Sequence, residues 1–184
     1  MSATSSYDAI VIGAGISGMY QLHRLRGLGL RARVFEAGDG VGGTWYWNRY
    51  PGARFDSESW TYGYSFSDEI LREWEWSEHF AAQPETLRYC NFVADKLDLR
   101  RDIEFNCRIK AVAYDEAANQ WEIESEDGRR ARARFLITAV GPLSAPTMPT
   151  IPGVESFRGE SYHTGTWPHR PVRSEEHTSE LQSP

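Results

Sequence analysis

The residues with the clearest chemical use sit near the start of the chain. Gly13-Ala14-Gly15-Ile16-Ser17-Gly18 spells GxGxxG directly after an apolar run. In that pattern Gly13 permits a tight turn, Gly15 lets backbone approach a pyrophosphate, and Gly18 allows a helix to pack closely on a strand. A helix opening around Ser17 would aim free N–H groups and a partial positive charge at phosphates. Taken alone, the motif is also met as a plain glycine-rich turn. Glu36 lies 23 positions after Gly13, where an acid accepts the hydroxyls of an adenosine ribose. Its charge opposes a 2′-phosphate, so the expected ligand is FAD or NAD and not NADP.

The flanking pattern favours the dinucleotide reading. Tyr7 to Ile12 is short and mostly apolar, as a buried parallel strand should be. Met19, Leu22, Leu25 and Leu28 recur at helical spacing until Gly27 and Gly29 stop the helix. Arg31 to Glu36 reads as a second strand, completing a right-handed βαβ unit. Gly42-Gly43 then follows the ribose acid. A second glycine pair in that place is typical of FAD-binding domains, although an ordinary turn has the same composition.

Further along, residues 38–66 show no helical or alternating period and are dense in aromatics: Trp45, Tyr46, Trp47, Tyr50, Trp60, Tyr62 and Tyr64. A long loop of this kind is usually functional when it is ordered. Ser67 is expected to cap a short helix over Glu69 to Trp74, and Pro84 to open one through Leu87, Phe92, Val93 and Leu97. Arg108–Tyr114, Trp121–Ser125 and Ala131–Thr138 are strand candidates, with Asp127-Gly128 as a hairpin turn between the last two. The alternating Arg129, Arg130, Arg132 and Arg134 suit one exposed strand face. Pro142, Pro146, Pro149 and Pro152 mark an extended linker. The expected fold class is therefore α/β: a doubly wound, Rossmann-like dinucleotide-binding domain with a small antiparallel β insertion.

Composition narrows the function. The 184 residues carry 20 Lys and Arg against 26 Asp and Glu, a net charge of -6, which disfavours a nucleic-acid surface. No apolar run approaches the roughly 20 residues that span a bilayer, and Met1 to Tyr7 lacks the pattern of a signal peptide. Cys90 and Cys107 form neither a disulfide framework nor a paired redox motif, so a cytoplasmic setting is expected. No metal-ligand spacing occurs, and a metal site is not expected.

Two longer motifs carry a resemblance. Gly42-Gly43-Thr44-Trp45-Tyr46-Trp47-Asn48-Arg49-Tyr50-Pro51-Gly52-Ala53-Arg54 resembles the flavin loop of the Baeyer–Villiger monooxygenases. Phe157-Arg158-Gly159-Glu160-Ser161-Tyr162-His163-Thr164-Gly165-Thr166-Trp167-Pro168 is similar to that family's fingerprint, FxGxxxHxxxW followed by proline. The resemblance covers Ala9 to about Val172 and is nearest the phenylacetone- and cyclohexanone-type enzymes. It implies FAD, reduction by NADPH, and O2 captured as a C4a-peroxyflavin that attacks a ketone to give an ester or lactone, or oxygenates a sulfide. Carried over by residue, it implies that Asp56 lies beside the flavin as the catalytic acid and orients an active-site arginine. Arg54, Phe55 and Asp56 would edge the nicotinamide pocket. Trp45 and Tyr62 would pack around the flavin and Thr44 would hydrogen-bond it, while the Ile109 backbone would read adenine. His163 would act conformationally, in the linker that couples the FAD and NADPH domains.

Departures from the family pattern matter as well. The family's second GxGxxG, for NADPH, and its active-site arginine have no counterpart in this sequence. The expected organisation is an FAD-binding domain over 1–141, a linker with the fingerprint over 142–172, and a non-native tail over 173–184. Arg173 to Ser183 looks like a translated sequencing adapter, so His177 is not read as a ligand. Rival readings are an inactive FAD-binding fragment, an N-hydroxylating or sulfur-oxidising flavin monooxygenase, and a dehydrogenase using NAD. The glycine pair at 42 and 43 disfavours the last.

Overall fold

A six-stranded mixed sheet of order β3-β2-β1-β6-β5-β4 organises residues 4–172, the part of the chain that the computed structural model describes. Strand β1 (Ser5–Ile12) pairs in parallel with β2 (Ala32–Phe35) on one side and β6 (Arg130–Thr138) on the other. Strand β2 pairs in parallel with the short β3 (Ile103–Glu104). Alternation along β1 divides its side chains between two cores. Ala9 and Val11 join Met19, Leu22 and Leu25 of helix α1 (Ile16–Gly27), whereas Ile10 joins Phe35, Cys107, Ile123 and Ala133 on the opposite face. Helix α1 ends as the sequence predicts. Arg24 and Arg26 stand in its last turn, where cations oppose the dipole, and Gly29 takes a positive φ of 74° just beyond.

The antiparallel strands extend this sheet. β4 (Ile109–Asp115) pairs with β5 (Gln120–Ser125), and β5 with β6, so β6 is parallel to one neighbour and antiparallel to the other. Gly128 supplies the turn with φ 86°. Arg130 and Arg132 alternate as expected and reach Glu124 and Glu122 at 3.2 and 2.6 Å. Arg129 departs from that face and bonds Glu104 and Asp127 instead.

Residues 38–66, expected to lack helical structure, contain two one-turn helices, α2 (Thr44–Trp47) and α3 (Ser59–Tyr62). Four residues are too few to display a period. Ser67 does cap α4 (Asp68–Glu73), its hydroxyl accepting from Ile70 N at 3.3 Å. Pro84 sits in the first turn of α5 (Gln83–Lys96), whose Cys90 and Ala94 join the core beneath α1. Residues 142–172 contain neither strand nor α-helix and are irregular, with 3-10 turns at Val154–Ser156 and Thr164–Thr166. Arg173 to Pro184, including His177, lie outside the described residues. Among the described residues no helix is long and apolar enough to cross a membrane, and no cluster of three His, Cys, Asp or Glu side chains is placed to hold a metal.

Candidate dinucleotide cleft

The first glycine turn is shaped by two steric demands. Gly13 has φ 102°, and a Cβ there would fall 2.6 Å from the Ala139 carbonyl oxygen. A Cβ on Gly18 would fall 1.8 Å from the Gly13 carbonyl oxygen, so α1 can lie on β1 only because Gly18 is bare. Gly15 is different. Its backbone is ordinary, with φ -75° and ψ -172°, and a Cβ would sit 3.4 Å from Gly43 Cα. Gly43 takes φ 53° and passes so near that its own Cβ would be 2.8 Å from Gly15 Cα. The Gly42 N–H bonds the Ala14 carbonyl at 3.0 Å. The two glycine motifs therefore meet backbone to backbone.

Helix α1 begins at that meeting point. No side chain caps it, and its first turn carries no acid. Its first ladder bond runs from Met19 N to Gly15 O at 3.0 Å, so the N–H groups of Ile16, Ser17 and Gly18 are outside the helical ladder. Ser17 is exposed there. Uncapped N–H groups at a helix start are suited to a phosphate.

At the other end stands Glu36, only 4% exposed. Its Oε2 accepts from Ala14 N at 2.6 Å and its Oε1 from Gly38 N at 2.7 Å. Each carboxylate oxygen retains a lone pair for a further donor, which is what ribose hydroxyls require. Glu36 O in turn accepts from Cys107 N at 2.8 Å, fixing the end of β2 to the approach to β4. Gly13, Gly15, Glu36, Gly43, Thr44 and Ile109 line one cleft of about 380 Å³, within the range of small-ligand sites.

Trp45, Phe55 and Tyr62 form a separate aromatic cluster. Phe55 and Tyr62 stack at 4.3 Å between centroids, and Trp45 meets both edge-on. Trp45 Nε1 donates to Tyr62 Oη at 2.7 Å, and burial holds the Tyr62 phenol above its usual range. None of the three lines the cleft described above. Arg54 is exposed and spends its guanidinium on Glu78 Oε2 at 3.0 Å and the Phe80 carbonyl at 2.7 Å. Asp56 is exposed on the same loop.

The fingerprint segment divides likewise. His163 Nδ1 accepts from Gly165 N at 3.0 Å and so caps the turn over Thr164–Thr166. Gly165 and Thr166 belong to the cleft wall. Trp167 packs on Tyr162 at 5.4 Å and Pro168 follows it half-buried. Phe157 is 62% exposed, and its ring lies so close to Gly159 that a Cβ there would fall 2.5 Å from Cζ. Most of the remaining cleft lining was not singled out from the sequence, among it Trp47, Asn48, Val140 and Leu143. The first two carried a signal, since they lie inside the flavin-loop motif.

A parallel βαβ unit with bare glycines, an uncapped helix start and a buried acid defines a dinucleotide-binding protein of Rossmann type. Residues 11–71 match the family described as NAD(P)-binding Rossmann-like domain. The chain is 52% identical over 161 residues to 2-oxo-Delta(3)-4,5,5-trimethylcyclopentenylacetyl-CoA monooxygenase of Pseudomonas putida, covering 88% of this chain and 30% of that protein. It is 49% identical to acetone monooxygenase (methyl acetate-forming) of Gordonia sp. strain TY-5, covering 90% and 31%. It is 44% identical to a Baeyer-Villiger monooxygenase of Pseudooceanicola batsensis, covering 89% and 30%. Among solved structures, cyclohexanone monooxygenase in a closed form superposes with TM-score 0.87 at 43% identity, covering 92% of this chain and 32% of that one. OTEMO in complex with FAD and NADP superposes with TM-score 0.83 at 50% identity, covering 90% and 31%. The homologues of this chain thus include Baeyer–Villiger and cyclohexanone monooxygenases, and it spans about 30% of the length of the curated relatives it matches.

Proposed function

We propose that this chain is the FAD-binding part of an NADPH-dependent flavin monooxygenase that inserts one oxygen atom of O2 into ketones, forming esters or lactones. The observation that carries the reading is the backbone contact of Gly15 with Gly43 over the uncapped start of α1, with the buried Glu36 carboxylate at the far end of the same cleft. FAD fits this arrangement. Bare glycine backbone and α1 N–H groups take the pyrophosphate, Glu36 takes the adenosine ribose, and Ile109 borders the adenine end. Thr44 borders the flavin side, and Trp45, Phe55 and Tyr62 stiffen the loop that supports it.

The bound flavin supplies the redox and oxygen-activating chemistry. The chain's residues hold and orient it. Asp56, exposed beside the aromatic cluster, is free to face the reacting centre, and its assigned role is to orient a cation there. His163 holds the turn that presents Gly165 and Thr166 to the cleft, which suits a conformational role. In this reading residues 1–141 form the FAD unit and 142–172 lead toward polypeptide that holds NADPH. Ketones are the principal substrate class, as the acetone-oxidising relative suggests; sulfides are a second class. The setting is the cytoplasm.

The test uses a protein of the relatives' length containing this chain. Incubated with NADPH, a cyclic ketone and isotopically labelled O2, it should yield a lactone carrying one labelled oxygen. NADPH oxidation that yields only hydrogen peroxide with every ketone and sulfide tried would overturn the monooxygenase reading.

A further inference from the structure

One side chain ties the ribose acid to the second glycine motif. The Tyr46 ring is 8% exposed and lies between two glycines. A Cβ on Gly38 would fall 2.6 Å from its Cε1, and one on Gly40 would fall 3.3 Å from its Cδ2. Tyr46 Oη donates to Asp39 Oδ1 at 2.6 Å and accepts from Asp39 N at 3.3 Å. The residue between the two glycines is thereby held by side chain and backbone together. Gly38 N then donates to Glu36 Oε1 at 2.7 Å.

Tyr46 is itself firmly seated. Arg49 Nε donates to its carbonyl at 2.6 Å, and the Arg49 guanidinium stands 4.7 Å over its ring. Trp47 packs edge-on at 4.8 Å, and His169, just after the fingerprint, meets the ring at 6.0 Å. Burial and the Asp39 acceptor both hold the phenol in its protonated, donating form.

Two glycines flanking Asp39 give the Gly38–Gly40 turn more conformational freedom than a turn of ordinary residues. The Gly38 carbonyl accepts from Asn106 N at 2.9 Å; without the Tyr46 clamp the turn would be held at that end alone, and the Gly38 N–H would be aimed less firmly at Glu36. We infer that Tyr46 is a positioning residue for cofactor recognition, fixing the Gly38–Gly40 turn so that Glu36 meets the adenosine ribose of bound FAD. The inference rests on the FAD reading above and assigns Tyr46 a part in it.

The test is a set of FAD affinities, read by flavin fluorescence, for the 184-residue chain, Tyr46→Phe, Glu36→Gln and the double variant. Phenylalanine keeps the ring and removes both Asp39 bonds. Tyr46→Phe should weaken FAD about tenfold, the scale of one net hydrogen bond at its upper range. It should weaken the FAD analogue lacking the adenosine 2′-hydroxyl less, and it should add nothing in the Glu36→Gln background. Undiminished FAD affinity, equal loss for both ligands, or full additivity with Glu36→Gln would each overturn the positioning role. Failure of the unaltered chain to bind FAD would instead overturn the FAD reading, and this inference with it.

Discussion

Gly15 and Gly18 stand three residues apart in one turn, and alanine at each should fail in a different way. At Gly18 the new Cβ would lie 1.8 Å from the Gly13 carbonyl oxygen, about 1.6 Å short of ordinary contact. Both partners are backbone, so relief requires lifting α1 from β1. Overpacking of that kind costs about 1–3 kcal/mol, and the upper end applies where no flexible side chain can yield. Replacing glycine inside a helix returns about 1 kcal/mol. The net loss of about 2 kcal/mol should lower Tm by about 4–8 °C in a chain of this size. At Gly15 the φ of -75° suits alanine and the nearest atom is 3.4 Å away; the gain of about 0.4–1 kcal/mol from a stiffer unfolded chain is offset by the poorer fit of alanine at a helix N-cap, so stability should hold. The methyl group then stands where a pyrophosphate must approach, and FAD affinity should fall at least tenfold, about 1.4 kcal/mol. Thermal unfolding without ligand and FAD titration of both variants separate the two effects. Unchanged FAD affinity in Gly15→Ala, or an unchanged Tm in Gly18→Ala, would refute the reasoning.

Four further outcomes are expected. Glu36→Ala removes the acceptor of the Ala14 and Gly38 N–H groups, so flavin should no longer survive gel filtration with the protein; retained flavin would move the ribose site elsewhere. Tyr62→Phe leaves Trp45 Nε1 without its acceptor and should cost about 1–3 kcal/mol in chemical denaturation. In a protein of the relatives' length, Asp56→Ala should impair ketone oxygenation more than FAD content, because Asp56 is exposed; equal loss of both would make its role structural. Burial raises the Cys90 thiol from 9.0 to about 12. A raised thiol favours the neutral form, so its contribution to stability is whole below about pH 9 and fades as pH rises toward 12. Cys90 should therefore resist a thiol reagent at pH 8 in the folded chain and react after unfolding.

The parts of the fold carried by local chemistry were legible in the sequence. The β1–α1–β2 unit follows from an apolar run, spaced leucines and the glycines that bracket them, and Glu36 falls at the end of β2 as its spacing predicts. Ser67 caps and Pro84 opens because those roles need only near neighbours. What was not legible depends on distant pairing. That Gly43 would lie against Gly15 is a tertiary fact, as is the return of Gly165 and Thr166 to the cleft formed by the first strand. Arg129 is one residue out of phase with the alternation of Arg130, Arg132 and Arg134, a parity visible in the sequence, and at the turn it bonds Asp127 and Glu104. The aromatic loop carried enough apolar area to predict order, yet not the arrangement in which Trp45, Phe55 and Tyr62 contact one another.

The central claim is that this chain holds FAD across its two glycine motifs. Calorimetric titration of FAD into the folded 184-residue chain tests it most directly. One FAD per chain should bind saturably, competed by ADP, which shares the pyrophosphate and ribose, and not by riboflavin at equal concentration. A chain that is folded by circular dichroism but gives no saturable heat with FAD would contradict it.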